Sequence, residues 1–225
     1  MPLILLSIAP ALLIIIYIYY SDKYDKEPRH LLMICFLLGA VGSILISSVS
    51  HFFVSQYIPE LEDLKIWIQF CKAFIFVALV EEFSKYIFVR YFAQRHKEFD
   101  EPYDGIMYAV MVSMGFAVTE NLAYSFQGGI ETAIYRAFTA VPAHATFGII
   151  MGYYMGKAKF SRNRVKYNLL GLGLATVFHG IYDFFLFIDF IPGITIGAFI
   201  SLAVGILLSQ KAIRIHQQNS HFKPK

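Results

Sequence analysis

The chain has 225 residues, 57% of them hydrophobic and only 16% charged, with a formal net charge of +3 and a mean hydropathy of +0.57. Soluble domains sit nearer about 45–50% apolar, so this composition indicates an integral membrane protein and excludes a large soluble domain beside the spans. The basic residues sit in short loops between apolar runs, which excludes nucleic acid as a partner. Cys35 and Cys71 both lie inside apolar runs, which excludes a disulfide framework.

Seven apolar spans follow in chain order, at residues 2–20, 31–55, 66–90, 105–126, 132–156, 167–189 and 192–211. Each is long enough to cross a hydrocarbon core of about 30 Å at a rise of about 1.5 Å per residue. The first lacks a basic leader and an A-x-A cleavage site, and it runs into SDKYDKEPRH, so it is expected to be a retained span. The loop DKYDKEP, with Asp22, Glu27 and Pro28, reads as a charged, solvated cytoplasmic turn that caps the second span. Asp100, Glu101 and Asp104, beside Arg95 and Lys97, read the same way at a later helix start. In the fifth span His144, Gly148, Gly152 and Gly156 fall every four residues on one face, a pattern that lets helices approach closely.

Of the 19 Lys and Arg residues, 15 fall in four regions: 23–29, 90–97, 157–166 and the tail from Lys211 to Lys225. The alternate loops hold almost none, with Lys65 in one and Arg136 in the next. By the positive-inside rule the N-terminus is outside and the C-terminus cytoplasmic. The expected fold is one all-α domain over 1–225. It is a polytopic transmembrane helix bundle of about seven spans in a lipid bilayer, with a core at 17–189 and a cytoplasmic tail at 212–225.

Charged residues at mid-bilayer cost at least about 2.5–3.5 kcal/mol on insertion scales, so they are functional candidates. The third span carries Glu81, Glu82 and Lys85 in the stretch FVALVEEFSKYIFVR; the fourth carries Glu120 and Asn121, the fifth His144, the sixth His179 and Asp183. Counted from the cytoplasmic span ends, Glu81 lies about 13 Å deep, His144 and His179 about 20 Å, and Glu120 about 22 Å. Four helices thus place acid or imidazole groups in one layer, which points to one site. Helical spacing supports it: Lys85 is i+4 from Glu81 and i+3 from Glu82, and His179 and Asp183 are i,i+4. Phe116 and Glu120 are also i,i+4, so an aromatic wall stands beside a carboxylate.

Four carboxylates against Lys85 leave an excess of negative charge that a low-dielectric interior does not tolerate. Either some carboxylates hold protons or a divalent cation sits among them. Glu and His suit zinc, and a catalytic zinc keeps one position for water, with a nearby carboxylate as general base. The HExxH motif is absent. The residues define a buried acid and imidazole site suited to activating water.

In order, the motifs are DKYDKEP, EEFSK, GFAVTENLAY, HATFGIIMGYYMG and HGIYD. As a set, over about residues 17 to 185, they resemble the PrsW family of bacterial membrane proteases, distant relatives of the CAAX prenyl endopeptidase superfamily. The resemblance implies a multi-pass enzyme of the bacterial cell membrane. Such an enzyme makes the first, extracytoplasmic cut in a single-pass substrate such as an anti-sigma factor, at the start of a stress-signalling cascade. It implies that Glu81 or Glu82 activates water, with Lys85 beside them. His144 and His179 would bind metal or stabilise the oxyanion, Asp183 would support His179, and Glu120, where relatives often have His, would be a third metal ligand or an outer acid. The ion would be zinc or another divalent metal. Two other readings stay open: a proton- or cation-coupled transporter, against which no internal repeat is found, and a non-catalytic scaffold, against which every acid and imidazole position is filled.

Overall fold

The structure, a computed structural model, describes residues 2–57 and 65–224; the last residue of the basic tail, Lys225, lies outside them. The described chain is helical and contains no strand. The helices are α1 (Pro2–Ser21), α2 (Arg29–Leu37), α3 (Ile44–Tyr57), α4 (Ile66–Cys71), α5 (Val80–Tyr91), α6 (Pro102–Phe138), α7 (Ala140–Lys159), α8 (Arg164–Phe187) and α9 (Ile196–Gln218). A π-helical stretch, Leu38–Ser43, joins α2 to α3, and another, Lys72–Leu79, joins α4 to α5, so each pair forms one continuous rod. Residues 22–28, 92–101, 160–163 and 219–224 gather at one end of the bundle, here the near end. Residues 126–139 and 188–195 lie at the far end.

Five helices among the described residues are long and apolar enough to cross a membrane: Pro2–Ser21, Arg29–Phe53, Pro102–Lys159, Arg164–Phe187 and Ile196–Gln218. The expected third span is helical from Ile66 to Tyr91, but Lys72, Glu81, Glu82, Lys85 and Arg90 take it out of that set. The expected fourth and fifth spans meet without an extended loop. The chain breaks at Gly129, whose φ of 77° suits glycine, stays helical to Phe138, and breaks again at Thr139. Arg136, expected in a loop, is therefore helical.

The first half of α6 is the axis of the bundle: every residue from Pro102 to Val118 is buried. It packs most closely on α7, because Gly105 faces Gly152 and Gly156. A Cβ on Gly152 would run into the Gly105 carbonyl oxygen, and one on Gly156 into that of Pro102. The glycine face read from the sequence is this seam. Small residues serve it because lipid gives no hydrophobic drive between helices and close van der Waals contact must substitute. Both cysteines are free, as expected.

The near end departs from the expected solvated turn. Asp22 and Glu27 are buried, and so are Glu101 and Asp104. DKYDKEP ends on Pro28, the residue before α2, whose carbonyl accepts from the amides of Leu31 and Leu32, and no side chain of the loop caps the helix. Glu27 instead accepts from the Tyr108 hydroxyl. Asp104 accepts from the amides of Asp100 and Glu101 at 2.7 and 2.8 Å, completing a capping box with Pro102 in the first turn. The side chain of Gln217 on α9 reaches the Ser21 carbonyl, and Ser220 donates to Glu101. Burial, then the neighbouring Asp104, Asp22 and Asp100, push Glu27 up to about 11, so its carboxyl keeps its proton at neutral pH. Burial likewise lifts Glu101 to about 7.

Candidate active site

Four helices bring the layer of polar residues together. Glu81, Glu82 and Lys85 begin α5, just after the π-helical stretch. Such stretches change the register of the residues that follow and recur at functional sites; here all three residues are buried. Lys85 Nζ lies 2.7 Å from Glu82 Oε1 and 3.7 Å from Glu81 Oε2. It also lies 3.2 Å from His144 Nδ1 and 4.1 Å from the centroid of Phe116, so the aromatic wall expected beside Glu120 stands over the lysine.

The two imidazoles sit perpendicular, with centroids 5.3 Å apart. His179 Nδ1 lies 2.9 Å from Glu82 Oε1, and its Nε2 lies 3.2 Å from Asp183 Oδ2, the i,i+4 pair read from the sequence. Phe147 stacks on His179 at 4.7 Å and fixes the ring plane. His144 Nε2 lies 3.0 Å from Glu120 Oε2. Glu120 also takes the Arg136 guanidinium at 2.6 Å. The sequence reading missed Arg136. Its signal was there: outside the four basic clusters, a lone arginine follows Gly128–Gly129 in the helix-forming run IETAIYRAF.

The two glutamates differ in their access to the cavity. A cavity of about 1140 Å³ reaches Glu81, Glu120, His144, His179 and Asp183, but neither Glu82 nor Lys85 borders it. Glu82 is fully buried behind His179. Glu81 Oε2 is buried without a hydrogen-bond partner, 4.0 Å from His179 Nε2. An unpartnered carboxylate oxygen in a dry interior is costly, so it marks a place for a proton, a water or an ion.

Single donor atoms from Glu81, His144 and His179 lie within 4.8 Å of one another. This group includes Glu81 and not Glu120, whose Oε2 is held by Arg136 and His144. The donors fit a divalent ion: a carboxylate with a spare oxygen, and a histidine whose other nitrogen is already held by Glu82, the usual support for a ligating imidazole. Each imidazole would exchange a partner for the ion, His179 giving up Asp183 at Nε2 and His144 giving up Glu120 or Lys85.

A carboxylate–imidazole centre walled by four helices, in a cavity above the roughly 300–1,000 Å³ of small-molecule sites, belongs to a membrane-embedded protease. The chain matches the PrsW family intramembrane metalloprotease over residues 27–209, and it belongs to that family. It is 40% identical over 185 residues to Protease PrsW of Geobacillus kaustophilus (strain HTA426), covering 82% of this chain and 79% of that protein. It is 43% identical over 181 residues to Protease PrsW of Oceanobacillus iheyensis, covering 80% of each chain. To Protease PrsW of Bacillus subtilis (strain 168) it is 39% identical over 182 residues, again covering 80% of each. No solved structure matches the chain.

Proposed function

We propose that the chain makes the first cut in a single-pass membrane protein, on the extracytoplasmic side, with Glu81 as the residue that activates water. The observation that carries this is the contrast within the pair: Glu81 lines the cavity, whereas Glu82 does not and has its Oε1 held by Lys85 and His179. The Glu81 carboxylate takes the proton of a water in the cavity as that water attacks the peptide carbonyl, and returns it to the amine nitrogen as the C–N bond breaks. Glu82 holds His179 and Lys85 in place, Asp183 holds the other side of His179, and Glu120 holds His144. A divalent ion held by Glu81, His144 and His179 would polarise the water and the carbonyl. The cavity wall on the α3 side is lined by Ser47, Ser48 and His51, which offer an extended substrate backbone polar partners.

Helix count and orientation belong to the same proposal. We read the described rods, which run alternately between the near and far ends, as about seven spans, and the basic residues gather at the near end. By the positive-inside rule that end is cytoplasmic, in the bacterial cell membrane, with the N-terminus outside. Glu120, His144 and His179 then lie in the outer half, which suits an extracytoplasmic cut in an anti-sigma-factor-like substrate.

The test compares cells expressing the wild-type chain with cells expressing Glu81→Gln at equal level. Extracytoplasmic fragments released into the medium are identified by mass spectrometry. Fragments found only with wild type support the proposal, and their ends place the cut. Undiminished release by Glu81→Gln removes that residue as the base, and undiminished release by the Glu81→Gln, Glu82→Gln double variant removes the glutamate mechanism.

A further inference from the structure

Gly128 and Gly129 reverse the chain at the far end. In a straight helix residues 120 and 136 would lie about 24 Å apart at 1.5 Å per residue. Here Arg136 Nη2 touches Glu120 Oε2 at 2.6 Å and Arg136 Nε touches Asn121 Oδ1 at 3.1 Å. The φ of 77° at Gly129 makes this return possible. The guanidinium also lies 4.2 Å over the Tyr124 ring, a cation–π contact. Asn121 is itself buried and donates to the Ser7 carbonyl at 3.3 Å, so the arginine's second anchor is fixed to α1.

The Glu120 oxygen that Arg136 holds is the one that His144 Nε2 faces. Donor and acceptor roles then follow along the chain of contacts. An arginine only donates, so Glu120 is the acceptor. Beside that acceptor His144 Nε2 is the donor, and Nδ1 is left to accept from Lys85 at 3.2 Å. Lys85 also donates to Glu82, and Glu82 accepts from His179 Nδ1. Arg136 and Lys85 therefore bracket the imidazole: the arginine holds the acceptor that Nε2 faces, and the lysine needs an acceptor at Nδ1.

We infer that Arg136 is a positioning residue of the active site. Delivered by the Gly129 reversal, it clamps Glu120 between Asn121 and His144 and thereby sets the tautomer and ring orientation of His144. It acts through Glu120 rather than on the substrate. A lysine cannot take over, because a single ammonium lacks the planar fork that spans Glu120 and Asn121 together.

The test has two arms, and only the second rests on the protease reading. In the first, the whole chain is labelled with [15N]histidine, solubilised in detergent and dialysed against a chelator so that no ion competes for His144. The His144 imidazole signals are assigned by their loss in His144→Gln. Wild type is expected to show an unprotonated Nδ1 and a protonated Nε2. Arg136→Gln is expected to give averaged or inverted signals, and a wild-type pattern in that variant overturns the inference. In the second arm, fragment release is measured for Arg136→Gln, Glu120→Gln and the double variant. Arg136→Gln is expected to fall about 10–100-fold, as for other residues that orient a site histidine. The double variant is expected to fall no further than Glu120→Gln alone. Losses that multiply would place Arg136 on an independent path and overturn it. Should Arg136→Gln fail to accumulate, Arg136→Lys replaces it in both arms; full wild-type behaviour there overturns the inference equally. If wild type releases no fragment, the protease proposal fails and the first arm still decides the role of Arg136.

Discussion

Among the described residues two groups of four acids sit in the bundle, the near-end one fully buried and the active-site one partly so, and they are built on opposite plans. The active-site group, Glu81, Glu82, Glu120 and Asp183, is interleaved with Lys85, Arg136, His144 and His179 and borders a cavity. The near-end group, Asp22, Glu27, Glu101 and Asp104, is met mainly by Tyr108, Ser220 and backbone amides. Lys26, the nearest lysine in sequence, spends its ammonium on the carbonyls of Tyr19 and Asp22. Buried carboxylates need compensation in either case. Cations supply it where ionised groups must work on water; retained protons and amide donors supply it where carboxyls tie helix ends together.

This contrast is broken most severely at Glu81. Glu81→Gln keeps the shape and removes the cavity-lining carboxylate proposed as the base. Loss of a general base costs about 100- to 10,000-fold, so fragment release is expected to vanish while the protein accumulates at wild-type level. Glu82→Gln should hurt less, by about 10–100-fold, because Glu82 acts through His179 and Lys85. If Glu82→Gln proved the more damaging, the division of labour drawn from the cavity would be reversed. The same two variants sharpen the metal question. Zinc content per chain, measured after purification, is expected to drop for Glu81→Gln and for His179→Gln, and to hold for Glu120→Gln, which lies outside the donor group.

Much of the site was legible in the sequence because helical spacing is local. The pairing of Glu82 with Lys85, that of His179 with Asp183 and the glycine seam of α7 each follow from i,i+3 or i,i+4 geometry within one helix. What stayed hidden depends on the path of the chain between helices. Arg136 reaches Glu120 only because Gly129 reverses the chain, and no periodicity reports that. Which glutamate faces the cavity was also beyond reach. Glu81 and Glu82 differ by about 100° around a helix, and the packing of α8 against them decides which one is shielded. The near-end acids misled for a different reason. A run such as DKYDKEP has the composition of a solvated loop, and its lysines are exposed, but Asp22 and Glu27 turn inward, Glu27 to the Tyr108 hydroxyl.

Predictions for the near end are smaller and concern stability. Asp104→Asn weakens the acceptor of two amide hydrogen bonds at the start of α6. Loss of a helix-cap acceptor costs about 0.5–2 kcal/mol, so the thermal midpoint is expected to fall while release per folded molecule is unchanged. A clear loss of catalysis at equal fold would mean that this end does more than hold helices together.

Glu27→Gln isolates the proton itself. Burial raises the Glu27 carboxyl from 4.5 to about 11. The folded chain therefore keeps a proton that the unfolded chain gives up, and it binds more protons than the unfolded chain between those two values. Stability must then decline as pH rises through that window, and the full contribution of the protonated carboxyl is present only below about 4.5. Glutamine does not titrate and keeps a donor and an acceptor, so it can retain contacts with Tyr108 and Asp104. At neutral pH the substitution is expected to raise the midpoint, because the unfolded glutamate gains by ionising while the folded one stays neutral, and glutamine does neither. The diagnostic is the slope: the wild-type midpoint should fall from pH 6 to pH 9, and that of Glu27→Gln should fall less steeply. Equal slopes would show that Glu27 ionises in the folded chain, and the near-end acids would then need a cation as the active-site acids do.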